Sequence, residues 1–331
     1  MKLTDIIPAP TNFGVPRSFH GLGMIPLLDG GATEFPVLDL LDEALGKKTV
    51  TITETSEGGE VPFLKLENTG AHPVLILDGE ELVGGKQNRI VNTTILVLAG
   101  SSIKIPVSCM EAGRWQRQQQ DFDSGKAIFR AKSRAVQKAS VTLSLRAEGS
   151  FRSDQGAVWN EVSESLHELR APSPTSDFRA GREKVAHRIE EFVEAIRPVD
   201  RQVGAIFMAP AGILGGELLA TPELFANAVE RIVRSFAFEV LASPDLDDVP
   251  LDKAQDWWQK IMDAPMTKHT SPGAGEDIRF DALGLIGSGL LWHDTLVHLS
   301  CFPTTESSQG SGHSTRRRAP ASERRNRMNR K

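Results

Sequence analysis

Two strand-like runs on either side of a glycine constrain the fold of this chain more than any other feature. Residues 92–98 and 103–109 alternate between apolar and polar side chains, and Gly100 lies between them. Glycine at the first central position suits a two-residue turn between paired strands. In that register Asn92 faces Cys109, so the pattern predicts a central β-hairpin.

The same register brings two charged segments together at the open end of the predicted hairpin. Arg89 arrives beside residues 111–115, which include Arg114. Two guanidinium groups can bind one phosphate or carboxylate through paired hydrogen bonds. Gln87 and Asn88 add amide donors and acceptors that suit a ribose or the edge of a base. The pattern therefore predicts an anion-binding pocket.

Further residues of the same region complete the predicted site. Ser108 and Trp115 are assigned to ligand binding, because an indole can stack on a base or a sugar. Glu80 and Glu111 are the candidate catalytic carboxylates, since glycosidic chemistry needs one acid and one base or nucleophile. Glu80 and its neighbour Glu81 point to opposite sides of an extended segment, and we favour Glu80 as the one that faces the site.

Each of these functional interpretations has a structural alternative. Cys109 is a candidate nucleophile because a nearby arginine favours the thiolate, yet free cysteines are among the most buried residues of proteins. Arg89 and Arg114 could instead pair with neighbouring glutamates in a structural ion-pair network. Trp115 could equally be a buried anchor. The sequence leaves these alternatives open.

No established metal or nucleotide motif is present, and the sequence specifies no cofactor. The histidines are scattered, so we predict no metal site; a set of His298 with Glu80, Cys109 or Glu111 is less plausible than a hydrogen-bonded histidine. Residues 84–87 lack the Gly-Lys-Ser/Thr pattern of a phosphate loop. No Gly-x-Ser-x-Gly elbow supports serine hydrolysis.

Outside this region the residue pattern predicts an α+β fold, with strands near both ends and helices between them. The last strands are expected to join the N-terminal sheet, and a turn is expected at Gly287–Gly289. The predicted strands are residues 48–55, 61–67, 73–77, 203–209, 278–286, 290–292 and 295–301, and the predicted helices are residues 37–45, 158–169, 185–196, 221–236 and 251–262.

Four residue groups carry a resemblance to a known family. They are Gly79-Glu80-Glu81-Leu82, Gly84-Gly85-Lys86-Gln87-Asn88-Arg89, Pro106-Val107-Ser108-Cys109 and Glu111-x-Gly113-Arg114-Trp115. This segment, residues 78–115, resembles the signature of the ARG and Rhodanese-Phosphatase-superfamily-associated Protein domain, and the resemblance extends over about residues 26–302. The family name reflects genomic association with ADP-ribosylglycohydrolase-like and phosphatase-like proteins, which implies a role near ADP-ribose or related nucleotide metabolism.

Charge divides the chain into an acidic body and a basic end. The net charge is −5 for the 331 residues. Residues 303–331 hold eight Lys or Arg and two Glu, so residues 1–302 carry −11. We expect one α+β domain over residues 1–302 and a disordered basic tail over residues 303–331. We expect no nucleic-acid binding except through that tail, and we favour the alternative that the tail is a non-functional or frame-shifted extension.

Composition points to a cytoplasmic protein. No run reaches the roughly 18 apolar residues of a membrane span, and the N-terminus lacks the apolar region of a signal peptide. The two cysteines, Cys109 and Cys301, lie far apart and form no disulfide framework. We therefore expect a soluble protein in a reducing compartment, and the sequence does not specify its oligomeric state.

Two functional hypotheses follow. In the first, the protein is an enzyme or binding protein of ADP-ribose- or NAD-related metabolism with a polar pocket for a phosphate-bearing small molecule. In the second, it is a non-catalytic interaction module in which the same residues form a structural network. The first predicts convergent polar groups in a concave site, and the second predicts that they are buried and mutually hydrogen-bonded.

Overall fold

Eighteen strands and six α-helices make up the part of the chain that the computed structural model describes. That part comprises residues 2–6, 12–29, 35–55, 62–111, 121–171, 173, 177–246 and 248–304. The helices are α1 (Leu41–Gly46), α2 (Ala131–Glu148), α3 (Gln155–Glu168), α4 (Phe178–Ala195), α5 (Pro222–Ala237) and α6 (Leu251–Asp263), with short 3-10 helices at Leu3–Asp5 and Phe238–Val240.

The strands fall into an N-terminal group and a C-terminal group. The first group is β1 (Asn12–Phe13), β2 (Arg17–Phe19), β3 (Leu22–Leu28), β4 (Asp39–Leu40), β5 (Val50–Glu54), β6 (Phe63–Asn68), β7 (Val74–Ile76), β8 (Glu80–Gly84), β9 (Arg89–Val91), β10 (Ile95–Val97), β11 (Ser102–Cys109) and β12 (Phe122–Ile128). The second is β13 (Gln202–Ala209), β14 (Gly212–Leu219), β15 (Thr267–Thr270), β16 (Glu276–Ala282), β17 (Leu285–Trp292) and β18 (Thr295–Pro303).

Strands from both ends of the chain form one nine-stranded antiparallel sheet. Its order is β1-β3-β13-β14-β18-β17-β16-β15, and β2 also pairs with β3. The prediction of an α+β fold whose last strands join N-terminal strands is therefore confirmed.

Both faces of the nine-stranded sheet are covered. Phe207 of β13 packs into the core that contains residues of α2–α5, whereas Ile206 packs into the core that contains residues of α6. Burial on both sides removes the usual alternation of apolar and polar residues along a strand. This explains why β13 is recognisable in the sequence only as a continuous apolar run.

The remaining strands form two smaller sheets, of order β12-β8-β9-β11-β6-β5 and β10-β7-β4. Their apolar side chains and those of α1 share a third core. The predicted β5–β6 hairpin and the predicted strand at β7 are confirmed. The predicted helix at residues 37–45 is only partly right, because Asp39 and Leu40 form β4 and α1 begins at Leu41.

The predicted register of the central hairpin is wrong. Ser101 N donates to Leu98 O at 3.3 Å, so Gly100 takes the second central position of the turn, with a φ of 67°. The two strands that flank the turn pair with other strands: β10 pairs with β7, and β11 pairs first with β6 and then with β9. In the β9 pairing Cys109 lies opposite Arg89, not Asn92.

The register differs from the prediction because a polar corner separates β9 from β10. Asn92 Nδ2 donates to Phe151 O at 2.9 Å, Thr93 Oγ1 donates to Asp277 at 2.7 Å, and Thr94 Oγ1 contacts His298 at 2.7 Å. These bonds reach across the molecule and end the strand before β10 begins. The corner thus separates two runs that look continuous in the sequence.

Four of the predicted helices are confirmed as α3, α4, α5 and α6. The start of α5 is as predicted, because the side chain of Thr221 accepts a hydrogen bond from Leu224 N at 3.2 Å. Helix α2, with 18 residues, was not predicted from the sequence. Its buried face carries Arg134, Gln137 and Lys138, so it lacks the apolar period that identifies a helix.

The predicted turn at Gly287–Gly289 is wrong as well. These residues lie inside β17, and the chain turns at Leu283 and Gly284 instead. No helix of the described residues has the length and apolarity needed to span a membrane. The predicted basic tail lies outside the described residues beyond Thr304.

Candidate functional site

The described part of the signature segment forms a buried polar network. Arg89 is 1% exposed, and its Nη1 donates to Gln87 Oε1 at 3.1 Å and to Cys109 Sγ at 3.0 Å. Gln87 Nε2 in turn donates to Glu111 O at 2.7 Å. The structure therefore brings these four predicted site residues together, but it does so beneath the surface.

Residues of α3 and its leading loop close this network. Gln155 accepts from Cys109 N and donates to Cys109 O, both at 2.8 Å, so it binds the β11 backbone like a further strand. Ser108 Oγ donates to Asn92 Oδ1 at 2.7 Å and lies 2.5 Å from Ser153 Oγ. Asn88 accepts a hydrogen bond from Gly84 N at 3.3 Å. Ser108 and Cys109 are thus held in place by neighbours within the fold.

Arg114 and Trp115 lie in residues 112–120, outside the described part of the chain. The proposed convergence of Arg89 with Arg114 therefore stays a prediction. For Arg89 itself, the partners within the fold are those described above, together with Glu54, whose carboxylate oxygen lies 3.9 Å from Arg89 Nη2.

Cys109 lies in an environment that disfavours its thiolate. The side chain is 1% exposed, and burial raises the pKa of the thiol, with Arg89 acting in the opposite direction. Cys301 is also buried, and burial raises the pKa of its thiol well above the ordinary value. The environment of Cys109 is that of a core cysteine.

We expect both cysteines to resist a thiol reagent such as dithionitrobenzoate in the folded protein. Absorbance should report far less than one reactive thiol per chain at pH 7.5 and two after unfolding in guanidinium chloride. Cys301 serves as an internal control. Rapid labelling of one thiol that Cys109→Ser abolishes would contradict this and revive Cys109 as a nucleophile.

A cavity of about 400 Å³ lies between α4 and α5. Its lining arginines contact β8, near the N-terminal end of the signature segment. Residues of α1 and β12 complete its wall. The lining residues are Asp42, Gly125, Lys126, Ala127, Arg182, Glu183, Ala186, Ile189, Glu190, Asn227, Glu230, Arg231 and Arg234. We call it the α4–α5 cavity.

A β-bulge shapes one wall of this cavity. Ser124 pairs with Leu82 and Ile128 pairs with Glu80, so residues 125–127 bulge out of β12. Within the bulge Lys126 has a φ of 53°, an uncommon conformation for a residue with a side chain. A Cβ on Gly125 would lie 2.4 Å from Glu81 Oε2, so only glycine leaves room for that carboxylate.

Two buried glutamates of β8 contact arginines that line the cavity. Glu81 accepts a hydrogen bond from Arg182 of α4, and Glu80 Oε1 lies 3.3 Å from Arg231 Nη1 of α5. We predicted that only one of the two glutamates would face a site. Neither glutamate lines the α4–α5 cavity itself, but each contacts an arginine that does, Glu80 through Arg231 and Glu81 through Arg182.

Arg231 is the most buried of the cationic side chains around the cavity, and it is only partly hydrogen-bonded. It is 4% exposed, and its Nη1 donates to Asp42 Oδ1 at 2.7 Å. Its Nε and Nη2 have no hydrogen-bond partner among the described residues. Arg234, by comparison, is held by both oxygens of Glu190, at 2.8 and 2.9 Å.

Glu80 is a buried carboxyl without hydrogen bonds. Neither of its side-chain oxygens has a hydrogen-bond partner in the described ranges. Burial raises the pKa of Glu80 to about 7, although Arg231 favours the ionised form. Burial also raises the pKa of Glu81, which Arg182 opposes. A carboxyl that titrates near neutrality can exchange a proton under physiological conditions.

The comparison with protein families agrees with the motifs of the signature segment. Residues 11–302 match the model of the ARG and Rhodanese-Phosphatase-superfamily-associated Protein domain. The chain belongs to this family. A search of curated proteins and a search of solved structures each gave no significant match. In this family member Gly79 immediately precedes β8, and the other motif residues up to Cys109 lie on β8, on β9, on β11 and in the turn between β8 and β9.

A second cluster of buried charges in this family member includes Asp78, the first residue of the signature segment. Asp78 Oδ2 accepts hydrogen bonds from Arg134 Nη2 at 3.2 Å and from Lys138 Nζ at 3.0 Å. Lys138 Nζ also donates to Ser288 at 2.6 Å and to Ser300 at 2.9 Å, which uses all three of its hydrogens.

The other half of this cluster is centred on Glu217. One of its oxygens accepts from Arg134 Nη1, and the other lies 2.8 Å from His298 Nε2. His298 Nδ1 is 2.7 Å from Thr94 Oγ1. We call these side chains, with Asp78, Lys138, Ser288 and Ser300, the Asp78 cluster. It joins α2 and the nine-stranded sheet to the signature segment.

No residue of the Asp78 cluster was predicted from the sequence to be part of a charged network. His298 is hydrogen-bonded and buried, as the simpler interpretation predicted. Among the described residues, no group of three or more His, Cys, Asp or Glu could hold a metal ion. Because its charged groups are mutually hydrogen-bonded and buried, the Asp78 cluster resembles a structural support for the fold.

Proposed function

We propose that this family member binds a phosphate-bearing small molecule in the α4–α5 cavity. The observation that carries the proposal is the open edge of Arg231, whose Nε and Nη2 are buried and without a partner in the described chain. These two nitrogens form one side of the guanidinium fork, which matches two oxygens of a phosphate. Leaving buried donors without a hydrogen bond costs stability. A ligand oxygen that accepts from Nε and Nη2 would remove this cost.

The remaining lining supports a ligand that carries hydroxyl groups as well as phosphate. Lys126 and Arg182 add positive charge to the wall, and Asn227 offers an amide. Glu183 and Glu190 are carboxylates, which accept hydrogen bonds from the hydroxyl groups of a ribose. The volume of about 400 Å³ is within the range of small-molecule sites.

ADP-ribose and NAD-related nucleotides fit this chemical description. They combine phosphate with ribose hydroxyls, and the family name, ARG and Rhodanese-Phosphatase-superfamily-associated Protein domain, supports an association with ADP-ribosylglycohydrolase-like and phosphatase-like proteins. We propose a role in that area of metabolism, as an enzyme or as a binding protein. In this proposal the buried network of Gln87, Arg89, Ser108 and Cys109 supports β8, whose Glu80 and Glu81 contact the arginines that line the cavity.

The alternative function is a non-catalytic interaction module. It is favoured by the buried and mutually bonded state of Gln87, Arg89 and Cys109, which is what that hypothesis predicted for them. The ligand-binding roles first assigned to these residues, to Asn88 and to Ser108 stay predictions, as does the catalytic role of Glu111. The two functions differ in whether the cavity binds a small molecule.

Substitution of Arg231 tests the proposal. We expect ADP-ribose, NAD or a nucleotide to raise the melting temperature of the full chain, and Arg231→Lys to weaken that ligand about 100-fold, because lysine cannot form the fork. Calorimetric titration measures the affinity. Lysine keeps a positive charge beside Asp42, so the variant should still fold.

Arg146→Lys is the matched control, because Arg146 forms an exposed ion pair with Asp281 far from the cavity. Its ligand affinity should equal that of the wild type. Absence of any ligand-induced change in the wild type would refute the proposed function. Equal affinity of the wild type and the Arg231→Lys variant would refute the assignment to this cavity.

A further inference from the structure

We propose that Glu80 takes up a proton when an anion binds the open edge of Arg231, so that ligand binding and protonation are coupled. The inference rests on the proposed function and adds a regulation by pH to the same site. It follows from three features of the structure: one guanidinium shared by two carboxylates, the lack of any other side-chain donor to Glu80, and the position of the open edge.

Arg231 lies between two acidic side chains but donates a hydrogen bond to only one of them. Asp42 Oδ1 accepts a hydrogen bond from Nη1 at 2.7 Å, whereas Glu80 Oε1 is 3.3 Å from the same nitrogen and accepts no hydrogen bond. Glu80 is 2% exposed, so water does not replace the missing donors at its surface. Its ionised form therefore depends on the charge of Arg231.

The other charged groups around Glu80 are acidic. Burial most strongly disfavours the ionised carboxylate. Arg231 of α5 and the nearby backbone N–H of Leu77 favour it, while Asp42 of α1 and Asp78, just before β8, disfavour it. The neighbouring strand β12 presents Ile128 opposite Glu80, which contributes no charge. The balance between burial and these charges keeps the pKa of Glu80 at about 7, so a modest change in charge can alter its protonation.

An anion on Nε and Nη2 of Arg231 would supply such a change. It would add negative charge on the far side of the guanidinium that stabilises ionised Glu80, and like charges disfavour each other's ionised forms. Glu80 would then bind a proton. Because coupling between two sites is reciprocal, protonation of Glu80 would strengthen anion binding by the same factor.

Sulfate is the probe, since it keeps its charge between pH 6 and 8, whereas phosphate itself titrates there. We expect calorimetry on the full chain to show sulfate affinity about tenfold weaker at pH 8 than at pH 6, as one-proton linkage predicts for a group that titrates between them. Titrations in two buffers of different ionisation enthalpy should show net proton uptake at pH 7 to 8.

Glu80→Gln mimics the protonated side chain and provides the decisive comparison. This variant should bind sulfate with the same affinity at both pH values, and at pH 8 about tenfold more tightly than the wild type. Glu223→Gln is the control, because Glu223 is exposed in the first turn of the same helix as Arg231. It should retain the wild-type pH dependence.

The outcomes separate this inference from the proposed function. If the wild type binds no sulfate even at pH 6, the anion site itself is refuted, and the coupling with it. If the wild type binds sulfate with no proton uptake, or if Glu80→Gln keeps the wild-type pH dependence, only the coupling is refuted. Weaker binding by Glu80→Gln at both pH values would also refute it.

Discussion

Replacing Asp78 by alanine is expected to lower the free energy of unfolding at pH 7 by about 3–5 kcal/mol, the usual cost of breaking a buried ion pair. Asp78 accepts hydrogen bonds from Arg134, Lys138 and Ser300, and all four side chains are buried. Without the carboxylate, two cations would remain in the interior with one anion, Glu217, close by. Urea denaturation followed by circular dichroism measures the change.

The matched control is Asp281→Ala, which removes an acid that forms an exposed ion pair with Arg146. Its expected cost is below about 1 kcal/mol, because such surface pairs contribute little. If Asp78→Ala prevents folding, Asp78→Asn keeps hydrogen-bonding groups and allows the measurement. Similar costs for Asp78→Ala and Asp281→Ala would contradict a supporting role of the Asp78 cluster.

The loss of unfolding free energy caused by Asp78→Ala should also depend on pH in a defined direction. Burial alone would raise the pKa of Asp78, but Arg134, Lys138, His298 and Ser300 outweigh it and hold that pKa well below 3.8. A depressed pKa stabilises the fold fully above the unfolded value, and this contribution is lost as the pH falls towards the folded value. The difference between the wild type and Asp78→Ala should therefore shrink only below about pH 3.8.

Replacing Gly287 by alanine is expected to destabilise the protein by about 3 kcal/mol, at the upper end of typical overpacking costs. Gly287 lies opposite Phe280 in the pairing of β16 with β17. A Cβ at this position would lie 1.9 Å from Phe280 Cζ, and the ring is itself buried in the core beneath α6. The ring has little room to move, so the strands themselves would have to shift.

Gly46→Ala is the matched control, since a Cβ there would meet nothing within 4 Å at the end of α1. It should be neutral or slightly stabilising, because alanine restricts the unfolded chain. Thermal and urea denaturation of both variants give the comparison. A tolerated Gly287→Ala would agree with the turn that the sequence suggested and would contradict the position of Gly287 in β17.

Local patterns in the sequence were enough for the elements whose signals lie within a few residues. Thr221 and Pro222 define the start of α5, and the alternating residues of β5 and β6 define a hairpin. The motif residues of the signature segment identified the family, and their partial convergence around Gln87, Arg89 and Cys109 is observed. In each case the residues that give the signal lie within or next to the element that they predict.

Tertiary contacts decided what local patterns could not. The β9–β11 register depends on a corner whose Asn92, Thr93 and Thr94 bind partners far away in sequence. Helix α2 is hidden from periodicity because its inward face carries Arg134 and Lys138, whose charges are compensated only in the folded protein.

The sequence by itself determined the family, the α+β class and most of the elements. Only the tertiary structure decided where the polar groups meet: Glu80 with Arg231, Glu81 with Arg182, and Asp78 with α2 and β18. The physical reason is that a buried charge needs a partner in space and places no requirement on the partner's distance along the chain. Apolar spacing specifies which face of an element is buried, but it does not specify which distant charge will lie against that face.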